Sequence, residues 1–493
     1  MPDIKSLSVG AKLKEAGRHS VIYGLGSVAQ SAVGFLLLPI LTGSLSKNDF
    51  GVYSLILMAS TVASSIFYMG MSSALPRSYF DYESDEERRA VFTTAFIILS
   101  FGALIQILLG YYFGDLISKL LVGEKNQAVA VAWAFFGSSV AFVNQYFFSF
   151  LRILRKSIAS VTFSLISLIG GVGFTLLFLK HSPGSLNAPF EAIAYSQIII
   201  TAIFLGRYGK VAFIFRFERR EVSNLVLFGV ASIIASFGNM LLDWADRIII
   251  ERFLTLADVG VYSAAFRVGT LINVIMIFPF SQIWYPMMME YRSNSNIGEL
   301  FTQIFSYFMI LGSVILLASS LFAGELLQLL IRSGVSSSVI SVFLLVMLGS
   351  LAYGTTNIVA AGIFYERKVF RLTYIYYSVA GLKIGVNILI IPVFGIIGAA
   401  VSTLVAYILV PVGIYALARK YFSFRIDWKR LGILGMNCVP PLMYGIYLSE
   451  KYQIDWPVRL VWFLLSLVVI YLTCFSKTER IEMKNLIHAW VYD

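Results

Sequence analysis

The sequence predicts an all-α polytopic membrane protein of about fourteen transmembrane helices, built as two pseudo-symmetric six-helix lobes plus two C-terminal helices. Three observations predict it. Only 13% of the 493 residues are charged while 58% are hydrophobic, about half the charged share of a soluble domain. Apolar runs of the roughly 20 residues needed to cross a hydrocarbon core recur from end to end. A ten-residue motif also returns at a constant offset of 209.

The first lobe, 1–221, holds spans at about 20–42, 50–73, 91–113, 128–150, 158–179 and 191–213. Its opening run starts after Ser20 and closes on no small-residue cleavage site, so it is expected to be an uncleaved helix. The second lobe, 222–420, holds spans at about 223–243, 258–284, 300–323, 338–364, 371–391 and 395–417. Spans at 431–448 and 457–475 with the tail complete 421–493. Basic residues gather in alternate connections: Arg88 and Arg89 after span 2, Arg155 and Lys156 after span 4, Arg219 and Arg220 after span 6, and Arg419 to Arg430 after span 12. With the N-terminus inside, 27 of the 38 lysines and arginines fall on inner segments, nine on outer segments and two inside spans. This bias predicts both termini in the cytoplasm.

The +11 net charge is then accounted for by topology and anionic inner-leaflet lipid. Basic and aromatic residues do not interleave on any soluble domain, so nucleic acid is not an expected partner. Cys438 and Cys474 lie in spans near the inner face, where a structural disulfide is not expected. His19, His181 and His488 lack metal-ligand spacing, and no metal site is expected. Connections of about a dozen residues leave no room for a soluble nucleotide-binding or catalytic domain, and no phosphate loop occurs. A transporter is expected rather than an enzyme.

The repeat pairs LSKNDFGVYS (45–54) with LTLADVGVYS (254–263), each copy lying between the first and second spans of a lobe. Extended upstream, the offset sets Gln30 against Asn239 and Gly34 against Asp243. A weaker echo pairs 192–200 with 398–406. Parallel repeats of this kind build rocker-type transporters with a midplane cavity between lobes.

Two cations interrupt apolar runs: Arg267 in VGVYSAAFRVGTLINVIMIFPF and Lys383 in LTYIYYSVAGLKIGVNILII. A cation at the bilayer centre costs at least about 2.5–3.5 kcal/mol, so neither is expected to face lipid. At a rise of about 1.5 Å per residue, Arg267 lies roughly 14 Å from the outer end of span 8 and Lys383 roughly 18 Å from the inner end of span 11. Tyr376 and Asn387 share a helical face with Lys383. Each cation either lines a wet or anion-filled cavity or locks helices together by pairing with a carbonyl or carboxylate. In span 7, Asp243, Arg247 and Glu251 stack at i,i+4, with Asp246 one turn from Asp243. That constellation is either a self-neutralised helix extension or an outer gate and ion-coupling site for H+ or Na+, with Asp243 the deepest carboxylate.

The segments VIYGLGSVAQSAVGFLLLPILTGSLSKNDFGVYSLI, SSALPRSYFDY, ADRIIIERFLTLADVGVYSAAFRVGTLI and FGIIGAAVSTLVAY resemble Wzx-type O-antigen flippases. These form the polysaccharide-export branch of the MATE-like multidrug/oligosaccharidyl-lipid/polysaccharide superfamily, and the resemblance covers nearly the whole chain. It implies translocation of an undecaprenyl-pyrophosphate-linked glycan across the bacterial inner membrane for O-antigen, capsule or exopolysaccharide, with polymerase and chain-length proteins as partners. Under that implication Arg267 and Lys383 hold phosphates, and Arg77, after Pro76, either catches the pyrophosphate on the cytoplasmic side or merely follows the inside-positive bias. No cofactor is implied. Two rival functions stay open: a cation-coupled exporter of the same superfamily, which midplane cations disfavour by repulsion, and a membrane-embedded polymerase or ligase, for which no sizeable outer loop exists.

Overall fold

The computed structural model describes residues 26, 29 and 33–481, apart from 124–126, 215, 292–295, 367, 449–453 and 478. Among the described residues there are helices and turns and no strand. Packing divides the chain into two compact units, Met1–Ala264 with Tyr376–Pro392, and Ala265–Ile375 with Val393–Asp493.

The first unit begins with α1 (Val33–Ser44), α2 (Lys47–Tyr68) and α3 (Met71–Phe80). It continues through α4 (Asp85–Tyr112), α5 (Gly114–Val122), α6 (Ala128–Ile153), α7 (Ser157–His181) and α8 (Ala188–Ala212). Most of span 20–42 precedes Val33 and lies outside the described residues. Helix α6 packs on α2, α4, α7 and α8, and the reason is aromatic. Phe92, Tyr146, Phe147, Phe150 and Phe204 are buried together, Phe147 stacking on Phe204 at 4.1 Å. Lipid is as apolar as a side chain, so shape and polar seams must hold such helices together. The seams are present: Gln106 Nε2 donates to Ser138 Oγ at 2.8 Å, and Asn144 Nδ2 donates to Gln197 Oε1 at 2.8 Å.

Helix α9 (Arg219–Phe253) bends by 41° between Ile234 and Ser236 and leads into α10 (Leu256–Gly269). Helices α2 and α10 start alike. Ser46 Oγ accepts from Asp49 N at 3.1 Å, and Thr255 Oγ1 accepts from Asp258 N at 3.2 Å. Each cap hydroxyl donates back to its aspartate at 2.6 Å. Much of the ten-residue repeat is therefore a reciprocal capping device that fixes where two apolar helices begin.

In the second unit, a π-helical turn (Asn273–Ile277) separates α10 from α11 (Phe278–Glu290). Pro279 explains its position, since a proline removes one N–H and its ring pushes away the carbonyl one turn earlier. Then come α12 (Ile297–Leu321), α13 (Ala323–Leu330), α14 (Ser337–Gly354), α15 (Thr356–Val359) and α16 (Ala361–Tyr365). Helix α17 (Phe370–Ala418) runs for 49 residues with one break, at Gly395 (φ 59°, ψ −145°). At about 1.5 Å per residue it is roughly twice as long as a bilayer core is thick, so the break separates two crossings, as the expected division between 391 and 395 requires. Helices α18 (Trp428–Met443) and α19 (Trp456–Cys474) pack with α12 around Ile310, Leu434, Ile470 and Cys474. A carboxylate fastens this end: Glu479 takes two hydrogen bonds from Arg430 at 3.1 and 3.0 Å and one from Tyr307 at 2.8 Å.

Ten helices among the described residues are long and apolar enough to span, or eleven if the bent α9 is one crossing. Fourteen is thus not reached among them. Two features of the structure bear on the difference, the fused pair in α17 and an α18 of 16 residues that gives way to a π-helical turn at Tyr444–Leu448, while the span expected at 20–42 lies mostly outside the described residues.

Candidate functional site

Asp246 is the centre of a sealed polar cluster within the first unit. Three elements build it. Helix α9 presents Asp243, Asp246 and Arg247, spaced three and four residues apart on one face. Helix α10 contributes Tyr262 and Ser263, the last two residues of its repeat copy. The 376–392 stretch of α17 contributes Lys383 and Asn387, one turn apart.

Lys383 Nζ lies 2.8 Å from Asp246 Oδ2, and both side chains are 0% exposed. The ammonium also donates to the Leu242 carbonyl. Asp246 Oδ2 accepts from Tyr262 OH at 2.6 Å, and Oδ1 accepts from Asn387 Nδ2 at 2.6 Å. Next to it, Arg247 Nε donates to Ser263 Oγ at 3.1 Å, Nη1 donates to the Asp243 carbonyl at 2.6 Å, and the guanidinium stands 4.5 Å from the Trp244 ring. Burying an ion pair is expensive unless every remaining lone pair and proton is satisfied. Three donors meet the carboxylate, and two acceptors, Asp246 and the Leu242 carbonyl, meet the ammonium.

The charges of Asp243, Asp246, Arg247 and Lys383 sum to zero. In this conformation the Lys383 ammonium is paired with Asp246 and buried with it. An apolar crevice of about 320 Å³ adjoins the cluster, with Met58 and Val62 of α2, Trp244 and Ile248 of α9, and Ile384 of α17 among its walls.

The other expected site residues lie as follows. Tyr376 is half-buried, its Cβ 3.1 Å from where a Cβ on Gly238 would stand. Asp243 is half-buried in α9. Arg267 is half-buried in α10 and belongs to the second unit. Arg77 falls in α3 after Pro76, and its side chain lies outside the described residues. Sequence reasoning placed Asp246 within its own helix's charge stack and read Tyr262 only as a repeat match. The pairing of residues 137 positions apart was not readable. A signal did exist: an embedded lysine needs a carboxylate, and span 7 carries the deepest ones. Among the described residues, no three His, Cys, Asp or Glu side chains gather as metal ligands.

Comparison with known proteins adds three kinds of finding. The family model described as "Polysaccharide biosynthesis protein" matches residues 16–292. The chain is 25% identical over 410 residues to a probable flippase, AglR, of Haloferax volcanii, covering 80% of this chain and 81% of that one. It is 23% identical over 383 residues to an uncharacterized membrane protein of Methanocaldococcus jannaschii, covering 72% and 71%. Among solved structures it resembles the lipid II flippase MurJ in an inward closed conformation, with a TM-score of 0.73, 15% identity, and 95% of this chain and 100% of that one covered. It also resembles an inward-facing multidrug resistance MATE family transporter of the MOP superfamily, with a TM-score of 0.62, 13% identity, and 81% and 94% covered. At such identities the structural likeness establishes the fold.

Proposed function

The chain belongs to the polysaccharide biosynthesis protein family, and from that premise we propose that it is a flippase. Its cargo is an undecaprenyl-pyrophosphate-linked oligosaccharide, moved across the bacterial cytoplasmic membrane by alternating access for O-antigen, capsule or exopolysaccharide. The observation that carries this reading is the family match over 16–292, which takes in both copies of the repeat and the α9 residues Asp243, Asp246 and Arg247. A relative named as a probable flippase and the fold shared with a lipid II flippase support it.

On this reading the lobes are 1–221 and 222–420, with 421–493 as an added helix pair, and both termini are cytoplasmic. Arg77 and Arg267 meet the pyrophosphate. Lys383 joins them when its pair with Asp246 opens, while Tyr376 and Asn387 extend the same polar helix face. Asp243, Asp246 and Arg247 form the gate or the H+- or Na+-coupling group. A polymerase and a chain-length protein would take up the product.

A cation-coupled exporter is the second reading, favoured by the neutrality of the Asp246 cluster and by the fold shared with a multidrug transporter. Complementation separates the two. A host lacking its own flippase and expressing this chain with a matched glycan pathway regains surface polysaccharide if the first reading holds. Drug resistance without surface glycan would favour the second. Well-expressed Arg267→Ala is expected to lose most of the display, and unchanged display would remove Arg267 from the site.

A further inference from the structure

At one end of the second unit, three segments close around a polar hollow of about 530 Å³: the junction of α12 and α13, the π-helical turn Tyr444–Leu448, and the first turn of α19. Its floor is packed. Ser320 and Tyr444 are buried there, a Cβ on Gly445 would stand 3.0 Å from the Ser320 carbonyl oxygen, and Tyr444 OH accepts from the Ile454 N–H at 3.3 Å. One wall is braced by charge. Arg459 donates from Nη1 to Glu325 Oε2 at 3.0 Å, from Nη2 to Oε1 at 2.5 Å, and from Nη1 to the Leu321 carbonyl at 2.9 Å. That arginine is committed to holding α13 against α19. Three other side chains on the lining are not so used. Asp455 occupies the N-cap of α19 without the side-chain bond that an N-cap aspartate ordinarily makes to the first turn. Gln328 is exposed on α13, and the Trp456 indole is 62% exposed.

We propose that this hollow binds a sugar residue. A pyranose presents two surfaces at once, an apolar face of C–H groups and a rim of hydroxyls that each donate and accept. A site for it needs an aromatic plane for the first and planar polar groups for the second. Trp456 supplies the plane, and the Asp455 carboxylate and Gln328 amide supply acceptors and donors beside it. The volume falls within the range of about 300–1,000 Å³ usual for small-molecule sites. Other ligand classes fit less well. Glu325, Asp455 and Arg459 sum to a charge of −1, and the cation already has its carboxylate, so a phosphate would be repelled. Carboxylate and amide groups at the opening disfavour an acyl chain. A tryptophan at a helix start is commonly an anchor at the membrane edge, but an anchor needs no carboxylate and amide sharing one hollow with it. The site deepens the flippase reading and rests on it. In the orientation proposed above, this end of α12 and α19 faces outward, so the sugar it meets belongs to the delivered glycan.

The test is binding rather than transport. Repeat-unit oligosaccharides, freed from their lipid by mild acid from each glycan pathway used for complementation, are titrated into the purified full chain in detergent and followed by saturation-transfer NMR and calorimetry. The parent is expected to bind one of them, and Trp456→Ala to bind it about tenfold more weakly. Trp456→Phe keeps an aromatic face and should stay within about threefold of the parent. Asp455→Asn and Gln328→Ala should each weaken binding by about twofold to tenfold. Trp428→Ala removes an indole that is 73% exposed at the start of α18 and should change nothing. Failure of the parent to bind any of the oligosaccharides overturns the site. So does a Trp456→Ala affinity equal to the parent's, or displacement of the sugar by inorganic pyrophosphate. The two readings fail separately. Restored surface glycan without Trp456-dependent binding removes the site and leaves the flippase, whereas Trp456-dependent binding with no glycan displayed from any pathway leaves the site and removes the flippase.

Discussion

Lys383 and Asp246 are worth more together than apart. With the ammonium gone, the carboxylate keeps Tyr262 and Asn387 as donors but loses its counter-charge in a site with no access to water. Lys383→Met is therefore expected to destabilise the protein by about 3–5 kcal/mol, the range for breaking a buried pair by removing one partner. Adding Asp246→Leu should recover most of that stability, because two apolar groups of similar bulk leave nothing unpaired. Thermal unfolding in detergent measures both, and equal midpoints for the single and double variants would refute the coupling. Transport reads differently: if the pair is a switch, the stable double variant stays inactive. The sequence already held every member of this cluster. It identified Lys383 as embedded and set Asn387 on its face, but the match with Asp246 depends on how α9 and α17 pack, which no periodicity encodes.

Element boundaries follow local chemistry more closely, and here the sequence was more legible. The repeat was read as a match between lobes, and the structure shows that its serine or threonine, three residues ahead of aspartate, caps both helix starts. Proline lacks a donor, and π-helical turns lie beside Pro279 and Pro440–Pro441. The Glu479 latch was not legible, since its partners come from α12 and α18. That latch makes a pH prediction. Burial alone would raise the Glu479 carboxyl, yet hydrogen bonds from Ser476, Tyr307 and Arg430 outweigh it and hold the group at about 2, against an ordinary value of 4.5. A carboxyl whose folded value is depressed stabilises the fold above its unfolded value and stops doing so as pH falls through the folded one. The latch is therefore fully effective above about pH 4.5 and fades between there and about 2. Glu479→Gln should lower the unfolding midpoint at pH 7 and narrow its gap to the parent as pH drops through that window. A gap that is constant with pH would mean the carboxylate's charge contributes nothing.

Over the whole molecule, fold class was readable because the bilayer admits so few solutions: continuous apolar runs must be helices that satisfy their own backbone. The grouping of those helices was less so. The repeat divides the chain at 221/222, whereas packing draws α9 and 376–392 into the first unit. Sidedness is the whole-molecule property that the charge distribution predicts without any packing information. The turn at 81–84 between α3 and α4 is followed by Arg88 and Arg89, and three crossings, α4, α6 and α7, separate it from the turn at 182–187 before α8. Three crossings put the two turns on opposite faces. Because arginine and lysine near short connections resist translocation, the first turn belongs inside and the second outside. A reporter active only outside the cytoplasm, inserted after Gly184, should be active, and the same reporter after Glu83 should be silent. A cytoplasmic fluorescent reporter should give the reverse. Equal activity at both sites would break the three-crossing count, and the opposite pattern would invert the orientation. Replacing Arg88, Arg89, Arg155 and Lys156 by glutamine should then weaken the discrimination between the sites, since those four side chains carry part of the bias on that half of the chain.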